Sequence, residues 1–336
     1  MRKEVIFAIA AGGVLGLIIA FGVWRANVAF SPSNRSASKT QASPTPKPEF
    51  AITLAKASDG DILTESSVTL SGITKSNTFV MVSGEDEDVY VRADAKGSFE
   101  ATIDLSGGTN QIVLTAFDEK GSETSMRLLL VYSSEFEKYI QDNQSSQEST
   151  DTATDSVRGR VEQKVKEALS SPKAFLGTVT DISEGTLQIK TAEGEIKQLS
   201  IASDISVIKT GKTNKEVKLT DVAIGDFIIA MGFKNGNGVL DTKRILISSP
   251  LPEVTRRAVF AKVFKNNKKD ILTQMVKTDE DQKIVPAKDA LIFLSSQEKN
   301  TKIKFADLKE NDLILGSGEF SDSTFEARTI FVVARP

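Results

Sequence analysis

Residues 108–121 read GTNQIVLTAFDEKG. Apolar residues alternate through Ile112–Ala116, which is the period of a half-buried strand. Ser106-Gly107-Gly108 precedes the run and Glu119-Lys120-Gly121 follows it, and both are turn signals. The same alternation recurs outward from it, in Val68–Leu70, Phe79–Met81, Val89–Val91, Phe99–Leu105 and Met126–Val131. Ser58-Asp59-Gly60-Asp61, Ser83-Gly84 and Lys96-Gly97 separate these runs. About seven short strands with turn signals every 8–12 residues predict a β-sandwich over residues 49–133.

The spacing Gly108, Asn110, Ile112, Leu114, Ala116, Asp118, Gly121 resembles the G-x-N-x-I-x-V-x-A-x-D-x-x-G hairpin of bacterial Ig-like domains, similar to domain B of glucodextranases. Asp94-Ala95-Lys96-Gly97-Ser98-Phe99 resembles the D-x-x-G-x-F hairpin that precedes it in that family. The resemblance covers residues 49–133, about a quarter of the chain. It implies an Ig-like sandwich serving as a spacer or binding module, and it brings no catalytic residues. The Cys…Trp…Cys core of antibody domains is absent.

The C-terminal part contains an internal repeat. Val179 and Leu187 correspond to Val263 and Ile271 at an offset of 84. Lys218-Leu219, Asp221, Asp226, Ile228 and Gly232 correspond to Lys304-Phe305, Asp307, Asp312, Ile314 and Gly318 at an offset of 86. Two copies are too few for a solenoid. Each reads as a small β-barrel of five or six strands, over 172–250 and 251–336. The Asp-[Val/Leu]-x-x-[Gly/Asn]-Asp turn resembles that of small extracytoplasmic, OB-like barrel domains of unknown function. Asn311 replaces the usual glycine of that turn in the second copy and can still adopt a positive φ.

Residues 31–48 hold four of the nine prolines, with Ser and Thr, and read as an extended spacer. Residues 134–156 turn acidic and polar and read as a second linker. Val157, Val161, Val165 and Leu169 repeat at i+4, which predicts a short helix within 157–171, ended by Pro172.

Val5–Trp24 carries no charge over 20 residues, enough at 1.5 Å per residue to span a hydrocarbon core of about 30 Å. It is long for a signal-peptide core and poorly placed for cleavage, so residues 1–30 read as an uncleaved anchor. Ala8, Gly12, Gly16 and Ala20 share one helix face, the pattern by which membrane helices pair into a homodimer. Flanking positive charges are nearly balanced: Arg2 and Lys3 before the run, Arg25, Arg35 and Lys39 after it. The stalk-like modules that follow suit the outside of a bacterial membrane, so the N-terminus is assigned to the cytoplasm. The fold class expected is therefore mainly β: a membrane helix, an Ig-like sandwich, a short helix and two tandem barrels.

The chain has 336 residues and neither His nor Cys. Imidazole bases, thiol nucleophiles and His or Cys metal ligands are therefore excluded. Ser296-Gln297-Glu298-Lys299 and Lys209-Thr210-Gly211 imitate penicillin-binding motifs, but in the wrong order and without a helical domain to carry the serine. Asp221/Asp226 and Asp307/Asp312 could pair as in a carboxylate-dependent hydrolase. Their recurrence inside a turn fits backbone capping better. No enzyme and no cofactor is expected. Glu85, Asp86, Glu87 and Asp88 form an acidic hairpin tip that reads as solvated, with calcium binding a weak alternative because the EF-hand spacing is missing.

The net charge of −3 hides three segments. Residues 1–48 carry +5, residues 49–156 carry −13 and residues 157–336 carry +5. Lys209, Lys212, Lys215 and Lys218 crowd one loop, Lys299, Lys302 and Lys304 the matching loop, and Lys265, Lys268 and Lys269 a hairpin. These are candidate ligands for an anionic envelope polymer. The barrel segments contain no Trp or Tyr, which counts against nucleic-acid stacking platforms. The function expected is a membrane-anchored, non-catalytic binding or scaffolding protein of the cell envelope, with a polymer or protein partner.

Overall fold

A computed structural model describes residues 50–145, 171–296 and 299–336. The apolar run Val5–Trp24, the small-residue face within it, the spacer 31–48 and the stripe Val157–Leu169 lie outside these residues. Among the described residues no helix is long and apolar enough to cross a membrane. They are mainly β, with twenty strands and one α-helix.

The first eight strands form two facing sheets. The smaller has the order β1 (Thr53–Leu54), β3 (Ser67–Ile73), β6 (Ser98–Asp104). The larger runs from β5 (Asp88–Arg92) through β4 (Phe79–Ser83), β7 (Gly108–Phe117) and β8 (Glu123–Tyr132) to β2 (Asp61–Leu63). Leu70, Phe99, Ala101 and Ile103 of one sheet meet Val80, Val82, Ile112, Leu114 and Leu128 of the other. This sandwich-like core follows from alternation; β6 is buried at every second residue.

Two strand rings follow. In the first, β9 (Pro172–Ser183), β10 (Thr186–Lys190), β11 (Ile196–Lys209), β14 (Leu240–Ser248) and β13 (Phe227–Lys234) pair in that order, and β13 closes back on β9. The short β12 (Lys215–Val217) adds to β11. In the second, β15 (Arg257–Asn266), β16 (Ile271–Met275), β17 (Asp281–Ser295), β20 (Thr324–Ala334) and β19 (Leu313–Ser321) close in the same order, with β18 (Asn300–Ile303) added to β17. Each ring fills its interior with its own apolar side chains, among them Val179, Leu187 and Ile228 in one and Val263, Ile271 and Ile314 in the other.

The repeat extends to irregularities. The last two strands of each ring carry a bulge, at Lys243 in the first and Arg328 in the second. Gly232 and Gly318 sit beside these bulges, where a Cβ would come within 2.0 Å of the carbonyl oxygen of Asp241 or Glu326. Only glycine allows that approach. Gly225 and Asn311 both adopt positive φ, at 97° and 69°.

Both rings also keep one apolar outer face. Ala174, Leu176, Phe227, Ile229 and Leu246 in the first match Ala258, Phe260, Leu313, Leu315 and Phe331 in the second. The first face is covered by Ile62, Val131, Phe136, Tyr139 and Ile140. The second is covered by Phe79, Met81, Phe117 and Tyr90 of the sandwich. Strand β4 is therefore buried on both sides, Val80 and Val82 inward and Phe79 and Met81 toward the second ring. Strand β2 joins the sandwich to the first ring, parallel to β8 and bridged to β9 at Asp61↔Lys173. Lys173 Nζ lies 2.5 Å from Asp61 Oδ1.

The acidic linker expected over 134–156 is corrected in its first half. Ser134–Phe136 is a 3-10 turn and Glu137–Ser145 is helix α1. Phe136, Tyr139 and Ile140, spaced i, i+3, i+4, share one face and pack on the first ring. Residues 146–156 lie outside those described.

Candidate functional site

The hairpin motif residues act as backbone caps. Asn110 is buried; its Oδ1 accepts the Ser106 N–H at 2.8 Å, and its Nδ2 donates to Ser106 O at 2.8 Å and Gly108 O at 3.1 Å. Asp118 Oδ1 accepts the N–H groups of Lys120 and Ser122 at 3.0 and 2.9 Å. Asp94 Oδ1 does the same for Lys96 and Ser98, both at 2.8 Å. Gly97 and Gly121 follow at φ 85° and 77°, the left-handed conformation these turns require.

Lys75 Nζ donates to Asp118 Oδ2 at 2.6 Å. Burial pushes the Asp118 carboxyl upward, but the Lys75 and backbone N–H bonds together hold it below its ordinary value. A depressed folded-state pKa adds stability above the unfolded carboxylate range, near pH 4, and that stability is lost as pH falls through the lowered value. Asp118→Asn should therefore flatten the acid limb of a stability-versus-pH curve, read by urea midpoints. An unchanged acid limb would contradict this role.

The acidic tip is a docking element. Glu85 accepts from Arg256 at 3.1 Å and from the Gln111 N–H at 3.0 Å. Asp86 accepts from the Ser106 hydroxyl, and Glu87 from the Asp104 N–H at 2.7 Å. The Asp88 side chain is 0% exposed and binds Arg328 through both oxygens, at 2.5 and 3.0 Å. Ser317 Oγ also donates to Asp88 at 3.0 Å and lies 2.8 Å from Ser83 Oγ. The other Arg328 donors reach Glu85 O at 2.8 Å and Gly84 O at 2.9 Å. All four acidic side chains thus have protein donors. Among the described residues no group of three or more His, Cys, Asp or Glu is arranged to hold a metal.

The four repeated aspartates cap turns as well. Asp221 and Asp307 accept from the N–H of Lys218 and Lys304 at 2.9 and 3.0 Å. Asp226 and Asp312 accept from Ala223 and Lys309 at 2.9 and 2.8 Å. Arg335 additionally clamps Asp312 with two bonds, at 2.8 and 2.7 Å.

Lys209, Lys212, Lys215, Lys218, Lys299, Lys302 and Lys304 are all exposed. Lys209 stands directly opposite Lys215 on the β11–β12 ladder. Lys302 stands opposite Phe293 on β17–β18. The two groups occupy equivalent places in the two rings. Two open hollows, of about 410 and 430 Å³, lie elsewhere, beside Ser134–Gln141 and between Ser71–Ile73 and Arg92.

No family model matches the chain, and no curated protein does. Among solved structures it is similar to a carbohydrate acetylesterase from Xanthomonas citri, at 26% identity over 24% of this chain and 19% of that one, with a TM-score of 0.20.

Proposed function

We propose that the chain is a membrane-anchored, extracytoplasmic, non-catalytic protein of the cell envelope, built from an Ig-like sandwich and two small barrels and used for binding or scaffolding. The observation that carries this reading is the interlock of its three modules. Asp88–Arg328, Glu85–Arg256 and the Phe79–Phe260–Phe331 cluster hold the second ring to the sandwich. Phe136 and the β2 bridge hold the first. Buried interfaces of this kind keep surfaces at fixed spacing, which suits display. The run Val5–Trp24 supplies the anchor in this reading.

Protease shaving of intact cells, combined with crosslinking and mass spectrometry, tests it. The expected result is release of peptides from 50–336 and crosslinks to envelope components. Protection of those peptides in intact cells would overturn the topology. A mature chain beginning near Phe30 and free in the medium would overturn the anchor.

One observation favours a more specific use, as an accessory protein that binds an anionic polymer. Lys209 and Lys215 face each other as like charges, an arrangement that costs stability unless a counter-charge arrives. Lys212→Glu/Lys215→Glu should abolish salt-sensitive retention on a polyanion matrix. Unchanged retention would exclude this loop.

A further inference from the structure

The two rings share a backbone, so each serves as a control for the other, and their first hairpins differ in charge: the first also exposes an apolar side chain, Ile182 at 42%, but sets it between Asp181 and Glu184. In the second ring a bulge in β15 leaves Phe264 unpaired between Val263↔Thr273 and Lys265↔Leu272. Bulges re-aim a side chain, and Phe264 is turned outward and is 71% exposed. In the first ring the same bulge, in β9, falls at Thr180. Its hydroxyl donates back to Gln188 O at 3.3 Å.

The row beside the bulge differs as well. Across three strands of the second ring it reads Lys265, Leu272, Lys283, directly opposite one another, with Leu272 37% exposed. The equivalent row of the first ring reads Asp181, Gln188, Gln198. The hairpin tip carries exposed Lys268 and Lys269 in the second ring, where the first carries Glu184 and Gly185. Lys262 is also exposed on the same outer face. Acids are present as well: Asp270, 3.6 Å from Lys283, Asp281, opposite Gln274, Asp279, whose carbonyl accepts from the Gln274 side chain, and Glu310, beside the Asn311 that bonds the Val263 carbonyl. Five exposed lysines therefore lie around two exposed apolar side chains and outnumber the four acids named.

From this divergence we infer that the β15–β16 hairpin is a docking surface for an anionic phospholipid membrane. Phe264 and Leu272 supply the apolar groups that enter the headgroup layer. Lys262, Lys265, Lys268, Lys269 and Lys283 supply the attraction to its negative charge, which scales with the number of lysines near the surface. A soluble polyanion would use the lysines and gain nothing from an exposed Phe-Leu pair, which is why the lipid surface is the better fit. The inference rests on the proposal that Val5–Trp24 places the protein at a bilayer.

The chain contains no cysteine, so one introduced thiol labels one site. Full-length Lys268→Cys, carrying a polarity-sensitive fluorophore, is placed in nanodiscs of neutral or anionic phospholipid. Copurification with the discs reads the anchor; the fluorophore reads the hairpin. The expected result is a blue shift in anionic discs only, abolished at about 1 M salt, where the screening length is about 3 Å. A label at Glu184→Cys in the first ring should show no shift. Phe264→Thr/Leu272→Gln, which restores first-ring residues on the surface, should remove the shift while leaving the thermal midpoint unchanged. Copurification without any difference between neutral and anionic discs would overturn the inference alone. Failure to copurify would overturn the anchor instead. A shift produced equally by soluble polyphosphate, and retained in the Phe264→Thr/Leu272→Gln variant, would replace the membrane with a polymer.

Discussion

Arg328→Met should cost about 3–5 kcal/mol of stability, because it leaves the Asp88 carboxylate buried without its cation. Asp88 is fully covered, and Arg328 also supplies hydrogen bonds to the carbonyls of Gly84 and Glu85. Asp88→Leu alone should be similarly damaging, since it strands the guanidinium against the hairpin. The double variant Asp88→Leu/Arg328→Met should recover most of the loss, because a buried ion pair exchanged for apolar groups is often nearly neutral. Urea midpoints and slopes of the four chains close the cycle. A single-variant loss under about 0.5 kcal/mol, the range of ordinary surface changes, would mean that the tip is solvated and holds nothing.

The second large effect is expected at Phe136. Its side chain is 0% exposed and its ring lies 5.2 Å from Tyr139 and 5.9 Å from Phe233. Truncating a buried phenylalanine to alanine costs about 3–5 kcal/mol, through lost transfer energy and the cavity left behind. The consequence should be local first. The single rung between β2 and β9 depends on this cluster for its cover, so amides of Asp61–Leu63 and Lys173–Leu176 should exchange faster in Phe136→Ala. Strand β6, on the far sheet of the sandwich, should keep its protection. Uniform acceleration across both would show that Phe136 supports the whole fold and not this junction.

Much of the strand content was legible because half-buried strands must alternate. Strand β6 does so without exception, and glycines mark its flanking turns. The strand β4 was legible in alternation yet hides a second message. Phe79-Val80-Met81-Val82 is apolar at every position, as expected for a strand covered on both faces. That run signals a partner beyond the opposing sheet, and the second ring is that partner. The 3-10 turn and helix α1 were obscured by composition: three apolar residues, Phe136, Tyr139 and Ile140, are scattered among polar and charged ones. Spacing carries more information there than average polarity.

The acidic tip illustrates a different limit. A run of four acids reads as solvated because its partners are remote: Arg256 is 171 residues from Glu85, and Arg328 is 240 from Asp88. Arg328 also occupies a bulge, where the alternation of β20 breaks. The four repeated aspartates were legible as caps because the capping bond is local, three residues long in each case. For the lysines, charge density was legible in both loops. The opposition of Lys209 and Lys215 depends on the β11–β12 register, which spacing alone does not give.

The central claim is that the sandwich and both rings form one body with fixed geometry. Pairwise distance distributions between spin labels test it most directly. Because the native chain has no cysteine, labels can be placed two at a time at the exposed positions Glu100 in the sandwich, Glu193 in the first ring and Lys288 in the second. Narrow, single-peaked distributions are predicted for all three pairs. Arg328→Met should broaden those involving Lys288 and leave the Glu100–Glu193 pair narrow. Broad distributions in the native chain, for any pair, would contradict the interlock and return the modules to beads on a string.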